Sequence, residues 1–293
     1  LRLGEELIRR FWLLLPASYL LILGVSFLYY HIVPGPEFYV VFLLIYAAGM
    51  RWTRRFVKDW FPFVALFITY EAVYGFADKL GGIIHIEELA EADFKLFGIL
   101  PSLFLQQYYR FVVLDYTCAF LYSLHFILPI AFGFMLWRYS SKNYWGFVAS
   151  LLVCSYAALT TFLIFPSAPP WYGVNAVRIL LQVYSSLGVT ASKTLFDYIE
   201  ANPFAAFPSL HAAYPWLISL YALKIKGRRV LPILLLPFNV WFSVVYLGEH
   251  YVVDVIGGIV YATCAFLVVE KIAPRLINYL DSRKVLEKTT QST

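Results

Sequence analysis

An all-α, polytopic transmembrane helix bundle is the fold this sequence predicts, and three observations predict it. Hydrophobic residues make up 61% of the 293-residue chain and charged residues only 14%, with a mean hydropathy of +0.71, a balance that excludes an ordinary soluble domain. Apolar runs near the length that crosses a bilayer core recur along the chain. Basic residues fall into alternate loops between those runs, as cytoplasmic loops require.

About eight spans are read in order. Residues 11–33 form the first, and the mixed charge of residues 1–10 argues for a retained span over a cleavable signal. The second, 38–50, is short for a crossing: it either extends into its flanks or forms a less regular pair with the third, 60–76. Residues 78–115 follow on the outer side. Within them, 86–105 carries Glu87, Glu88, Glu91 and Asp93 and reads as an amphipathic surface helix, its acids a solvated face. Spans at 116–137 and 144–165 come next. The outer stretch 166–205 then holds two short amphipathic helices, at 175–186 and 192–201. Residues 208–223, 230–247 and 251–272 complete the set.

Arg2, Arg9 and Arg10; Arg51, Arg54, Arg55 and Lys58; Arg138 and Lys142; Lys224, Lys226, Arg228 and Arg229; and the tail from Pro274 all fall on one side of this map. Both termini are therefore expected in the cytoplasm, and residues 78–115, 166–205 and the turn at Gly248 on the extracytoplasmic or lumenal face. The net charge of +5 is spread over short loops, which leaves no basic aromatic patch for nucleic acid. Cys118, Cys154 and Cys264 sit in apolar runs and suggest neither a disulfide framework nor a paired-cysteine zinc site.

Two peptides carry the chemistry. Phe207-Pro-Ser-Leu-His211 opens one span, and His250 and Asp254, in Gly-Glu-His-Tyr-Val-Val-Asp, open another. Ionisable groups at the ends of apolar segments are costly and ordinarily functional, and the map puts both peptides on the outer face. Pro208 suits a first helical turn and Ser209 a cap, so that backbone N–H groups near His211 face an incoming anion. If the last helix begins near Glu249, His250 and Asp254 lie one above the other at i, i+4 spacing. Covalent phosphoryl transfer needs a nucleophile, a group that orients it and a proton donor for the leaving oxygen. His250, Asp254 and His211 supply them in that order, with His211 then acting as base on the acceptor, which is water in a phosphatase and an alcohol in a transferase.

Pro-Ser-Leu-His and His-x3-Asp resemble the second and third motifs of the type 2 phosphatidic acid phosphatase superfamily. Residues 165–172, Phe-Pro-Ser-Ala-Pro-Pro-Trp-Tyr, and 246–254, Tyr-Leu-Gly-Glu-His-Tyr-Val-Val-Asp, are similar to its inositol phosphorylceramide synthase branch, the aureobasidin-resistance proteins. The resemblance covers about residues 115–258. It implies a helical bundle with a histidine nucleophile and no required metal, acting on a phospholipid or lipid phosphate in the bilayer. Two departures stand out. Ala158 and Phe165 occupy the places of the family's first basic motif, and Val244 that of the arginine six residues before the nucleophile. Loss of those cations favours a phosphodiester or head-group donor over a dianionic monoester.

Transfer of a phosphorylated head group, inositol-phosphate-like, to a lipid alcohol is thus the first expectation. A lipid phosphate or isoprenoid diphosphate phosphatase is the alternative, and a non-catalytic lipid transporter or scaffold the third reading, against which the lack of repeated halves argues. The catalytic set is His211, His250 and Asp254; the substrate-binding candidates are Ser209, Trp171, Tyr172, Arg178 and Lys193, with Arg110 a further outer cation. For Trp171 and Tyr172, substrate contact and an interfacial aromatic anchor are equally open. His125 either lines an acceptor groove or is a structural histidine bonded to a neighbouring helix, and stays outside the catalytic set. Gly257 and Gly258 read as close helix-packing positions. The organisation expected is an N-terminal transmembrane segment with an outer interfacial helix, 1–112, a phosphatase/phosphotransferase-like core, 113–273, and a cytoplasmic tail, 274–293.

Overall fold

The computed structural model of the chain describes residues 36–77, 83–187 and 203–291. The elements are helical throughout: α1 (Pro36–Gly49), α2 (Thr53–Ala77), α3 (Glu88–Phe97), α4 (Pro101–Tyr108), α5 (Val112–Tyr139), α6 (Ser141–Ile164), the single turn α7 (Pro170–Gly173), α8 (Ile179–Ser186), α9 (Leu210–Lys226), a 3-10 stretch (Gly227–Leu234), α10 (Leu235–Tyr246), α11 (Val252–Leu267), a π turn (Val268–Ile272) and α12 (Ala273–Gln291). The expected all-α membrane bundle is the fold observed.

Among the described residues, three stretches are long and apolar enough to cross a membrane: Ser141–Ile164, Leu210–Tyr246 and Val252–Ser282. A fourth joins them when the two arms of α5, bent by 46° between His125 and Ile127, are taken as one span. Pro129 accounts for the bend, because it cannot donate to the His125 carbonyl one turn earlier. The stretch Leu210–Tyr246 is no straight rod. Trp241 Nε1 donates to the Ala212 carbonyl at 3.1 Å, whereas 29 residues of continuous helix would separate them by about 40 Å. The chain reverses through Gly227, with φ +64°, and the 3-10 stretch after it, so α9 and α10 are the arms of a hairpin. The count of eight spans is not established: α1 is a short apolar helix of 14 residues, and the expected span at 11–33 lies outside the described residues, as does the short helix at 192–201.

Helix α9 is the hub, in contact with α5, α6, α10 and α11. Its buried Leu210, Ala213, Tyr214, Leu217 and Tyr221 share one core with Phe147, Leu151, Cys154 and Ala158 of α6 and Phe56, Trp60 and Phe63 of α2. In lipid no hydrophobic force draws helices together, so close packing and interhelical hydrogen bonds must do so, each bond at roughly 0.6 kcal/mol. Ser150 with Tyr221 at 2.9 Å, Ser155 with Tyr214 at 2.8 Å, Thr161 with Tyr261 at 2.6 Å and Trp216 with Thr263 at 2.8 Å provide them.

The end of the bundle where α9 begins carries the short helices and a backbone weave. Ser167 bridges His85 on one side and Ala205 on the other in parallel fashion, with Ala168 N–H donating to the His85 carbonyl at 2.9 Å and Ala206 N–H to the Ser167 carbonyl at 3.2 Å. This weave fixes the segment that leads into α9. The single outer helix expected over 86–105 is two, α3 and α4, broken at Gly98, whose φ of +69° is the left-handed C-cap that ends α3.

Candidate active site

Gly248 ends α10 with φ +80°, and a Cβ there would meet the Val177 carbonyl at 2.8 Å, so the turn demands glycine twice over. Glu249 and His250 both donate their N–H groups back to the Val244 carbonyl at 3.1 Å. They thereby prolong the end of α10, and α11 starts only at Val252. His250 consequently sits at the mouth of α11 instead of on its face, a correction to a helix beginning near Glu249.

Asp254, at the third position of α11, accepts Tyr251 N–H at 2.8 Å through Oδ2, and the same oxygen lies 3.4 Å from His250 Nδ1. The Ala206 carbonyl stands on that nitrogen too, at 3.1 Å. Two acceptors facing Nδ1 place the proton there and leave Nε2 with a lone pair. Nε2 lies 3.3 Å from His211 Nδ1. Asp254 is fully buried, and its other oxygen, Oδ1, has no hydrogen-bond partner among the described residues.

At the start of α9, the Ser209 hydroxyl accepts Ala212 N–H at 3.3 Å. Pro208 precedes that cap and so lies just outside the first turn. Ser209 N–H donates to the Asp254 carbonyl at 3.0 Å, so one backbone bond ties the two motifs together. The approach is possible because positions 257 and 258 are glycine. A Cβ at Gly258 would strike the Ser209 carbonyl, and one at Gly257 the ring of Phe207.

The His211 ring is flanked by Tyr122, stacked at 4.1 Å between centroids, and by His125 at 4.0 Å, both from α5. His125 in turn stacks on Tyr214 at 4.8 Å. The sequence left this histidine between two uses; the structure lays its buried ring against His211.

The remaining candidates that lie among the described residues gather at the same end of the bundle. Trp171 N–H donates to the Gly248 carbonyl at 3.1 Å, and its ring lies under the Arg178 guanidinium at 4.3 Å. Arg178 is paired with the carboxylate of Glu249, the neighbour of His250, through Nε at 2.9 Å and Nη2 at 3.3 Å. Tyr172 is exposed and meets Phe204 edge-on at 5.2 Å. Ser209 is fully buried beneath its cap. Arg110 engages Asp115 at 3.5 Å and Gln182. Lys193 lies outside the described residues. Ala158 and Val244, where basic residues were looked for, are buried and apolar.

Of two further residues at this end, the sequence misread one and passed over the other. Asp93 is not part of a solvated acidic face: it is 1% exposed and accepts Val252 and Val253 N–H, each at 2.9 Å. It thus caps α11 from a different helix. Burial pushes its carboxyl above the usual range, against the two N–H groups that lower it. Its spacing of four from buried Leu89, on the other face from Glu87, Glu88 and Glu91, was the available signal. Gln106 bonds the Val177 and Tyr246 carbonyls, each at 2.9 Å, and accepts Val177 N–H at 2.8 Å, clasping the segment before α8 to the end of α10. No sequence pattern marks such a clasp.

A family model described as the PAP2 superfamily matches residues 87–268, more than half of the chain. The chain is similar to a phosphoinositol dihydroceramide synthase of Bacteroides thetaiotaomicron, with 28% identity over 246 residues covering 78% of this chain and 79% of that protein. No solved structure matches it.

Proposed function

The chain belongs to the PAP2 superfamily, and from that premise we propose that it moves a phosphoinositol-like head group from a phospholipid donor to a ceramide-like lipid alcohol through a phosphohistidine intermediate. It is a membrane enzyme of the lipid phosphatase/phosphotransferase kind; the transfer, the lipids and the residue roles are the proposal. The observation that carries it is the hydrogen-bond order around His250, with Nδ1 between the Ala206 carbonyl and Asp254 and Nε2 turned to His211.

In the first step the Nε2 lone pair forms a bond to the donor phosphorus, and the bond from phosphorus to the diacylglycerol oxygen breaks. His211 gives its proton to that oxygen. Asp254 and the Ala206 carbonyl hold the Nδ1 proton as positive charge builds on the ring. In the second step His211 takes the proton of the acceptor hydroxyl, whose oxygen bonds to phosphorus as the N–P bond breaks and its electron pair returns to Nε2. Exchange of Glu249 for the substrate phosphate would give Arg178 its part, on the platform formed by Trp171 and Tyr172, while Ser209 shapes the helix mouth that faces the anion. Lys193 is assigned to the same outer end by sequence alone. The buried apolar side chains of Ala158 and Val244 suit a diester, which brings one negative charge and not two.

The test is an acceptor assay with purified protein in mixed micelles of labelled phosphatidylinositol and dihydroceramide. The expected product is an inositol-phosphate-bearing ceramide, lost in His250→Ala. Release of inositol phosphate or inorganic phosphate alone, with no new lipid, would overturn the transferase reading, and an active His250→Ala would remove the nucleophile.

A further inference from the structure

At the end of the bundle opposite His250, an open cleft of about 600 Å³ lies between the α1–α2 turn and the start of α6. Four cations line it, Arg51, Arg54, Arg55 and Lys58, together with two indoles, Trp52 and Trp145. Its one carboxylate, Asp59, is already engaged: it accepts Trp137 Nε1 at 2.9 Å and lies 3.5 Å from Arg55 Nε. Four cations against one carboxylate leave the wall at a net charge of +3 (4 − 1). Arg138 stands beside it, its guanidinium 4.6 Å from the centre of the Trp52 ring.

A topology signal requires positive charge somewhere in a loop; it does not require that the charge surround a concavity. Here the backbone is bent to bring it there. Arg51 has φ +59°, the left-handed region that glycine or asparagine ordinarily takes. Arg54 and Arg55 occupy the first turn of α2, where the peptide dipoles disfavour cations. An anion held in the cleft would offset both costs.

We infer that this cleft binds the head group of an anionic phospholipid from the surrounding bilayer, at a site separate from the reaction centre. The surroundings select a lipid over a soluble anion. Val57 and Phe61, on the turns of α2 that follow, are 53% and 69% exposed and offer an apolar flank to acyl chains. Two indoles beside a basic pocket belong at the depth where head groups meet hydrocarbon.

Native mass spectrometry of the whole protein, titrated with short-chain phosphatidylglycerol, phosphatidylcholine or glycerol 3-phosphate, reads the affinities directly. Phosphatidylglycerol is expected to bind most tightly. The triple variant Arg51→Gln, Arg54→Gln, Lys58→Gln is expected to lose about 100-fold, since each interfacial cation contributes about a factor of five, and Arg51→Lys with Arg54→Lys to retain binding. All these side chains are exposed, and a melting temperature equal to that of the native chain confirms the fold of each variant. Equal affinity for phosphatidylcholine, or an unchanged affinity in the glutamine variant, sinks the proposal. Displacement of phosphatidylglycerol by glycerol 3-phosphate at equal concentration assigns the cleft to a soluble anion and overturns the lipid.

Discussion

At the scale of single residues, His250 has its ring fixed from both sides, and the second acceptor on Nδ1 changes what a substitution should do. In the proposed mechanism Asp254→Asn would remove the negative charge that steadies the developing imidazolium, yet the Ala206 carbonyl, 3.1 Å away, still favours the same tautomer. The fall in kcat is therefore expected to stop short of the roughly 10⁴-fold loss seen where the carboxylate alone sets the tautomer. A steady-state rate in micelles tests this, and an unaltered kcat would make the pair structural. His125 offers a second experiment. His125→Phe keeps the stack on His211 and should retain activity within about tenfold, whereas His125→Ala leaves a gap beside that ring and should cost about 100-fold, the scale of a small misplacement of a reacting group. Equal losses in both, at unchanged melting temperature, would show that the ring nitrogens matter and not the stack. The two histidines and Asp254 were legible in the sequence because polar residues at the mouths of apolar spans are few. The Ala206 carbonyl was not, because a backbone acceptor leaves no mark on residue type.

Among the elements, α3 is the unexpected participant, since its Asp93 caps the helix that carries Asp254. Removing an N-cap acceptor costs roughly 1 kcal/mol, and Asp93→Ala exposes two donors at once, so a loss of about 1–2 kcal/mol is expected in thermal or denaturant unfolding. The pH dependence has a definite sign. Burial raises the folded-state pKa of Asp93 above its unfolded value, so its contribution to stability is full below the unfolded pKa, about 4, and is lost as pH rises through the folded pKa. Melting temperatures measured upward from pH 4 should decline more steeply in the native chain than in Asp93→Asn; parallel curves would show that this carboxyl does not titrate in the window. The start of α11 was misplaced from sequence for a related reason. Helix periodicity in 249–254 was visible, but the competing claim of the Val244 carbonyl on the Glu249 and His250 N–H groups is a tertiary matter.

Over the whole molecule, the helical class was plain from composition, while the number of spans was not, because length and hydropathy do not say where a chain reverses. The hairpin of α9 and α10 illustrates this: its 37 residues form one apolar stretch, and the turn shows in the reversal at Gly227 and the bond from Trp241 to Ala212. An expected orientation follows from the same layout. The cations at Arg51, Arg138, Lys142 and Lys224 lie at one end and the histidines at the other, which the charge rule places in the cytoplasm and outside it. In a Cys264→Ser background, Tyr172→Cys should react with an impermeant maleimide on intact cells and Lys142→Cys only after permeabilisation; the opposite pattern would invert the protein. The bond from Ser209 to Asp254 also bears on biogenesis. A chain still emerging from the ribosome, with α9 inserted and α11 not yet made, holds His211 of the proposed triad but not His250 or Asp254. On the proposed mechanism, nascent and prematurely ended chains are expected to be inert toward the lipids around them, and reactivity to arrive only once α11 has joined α9.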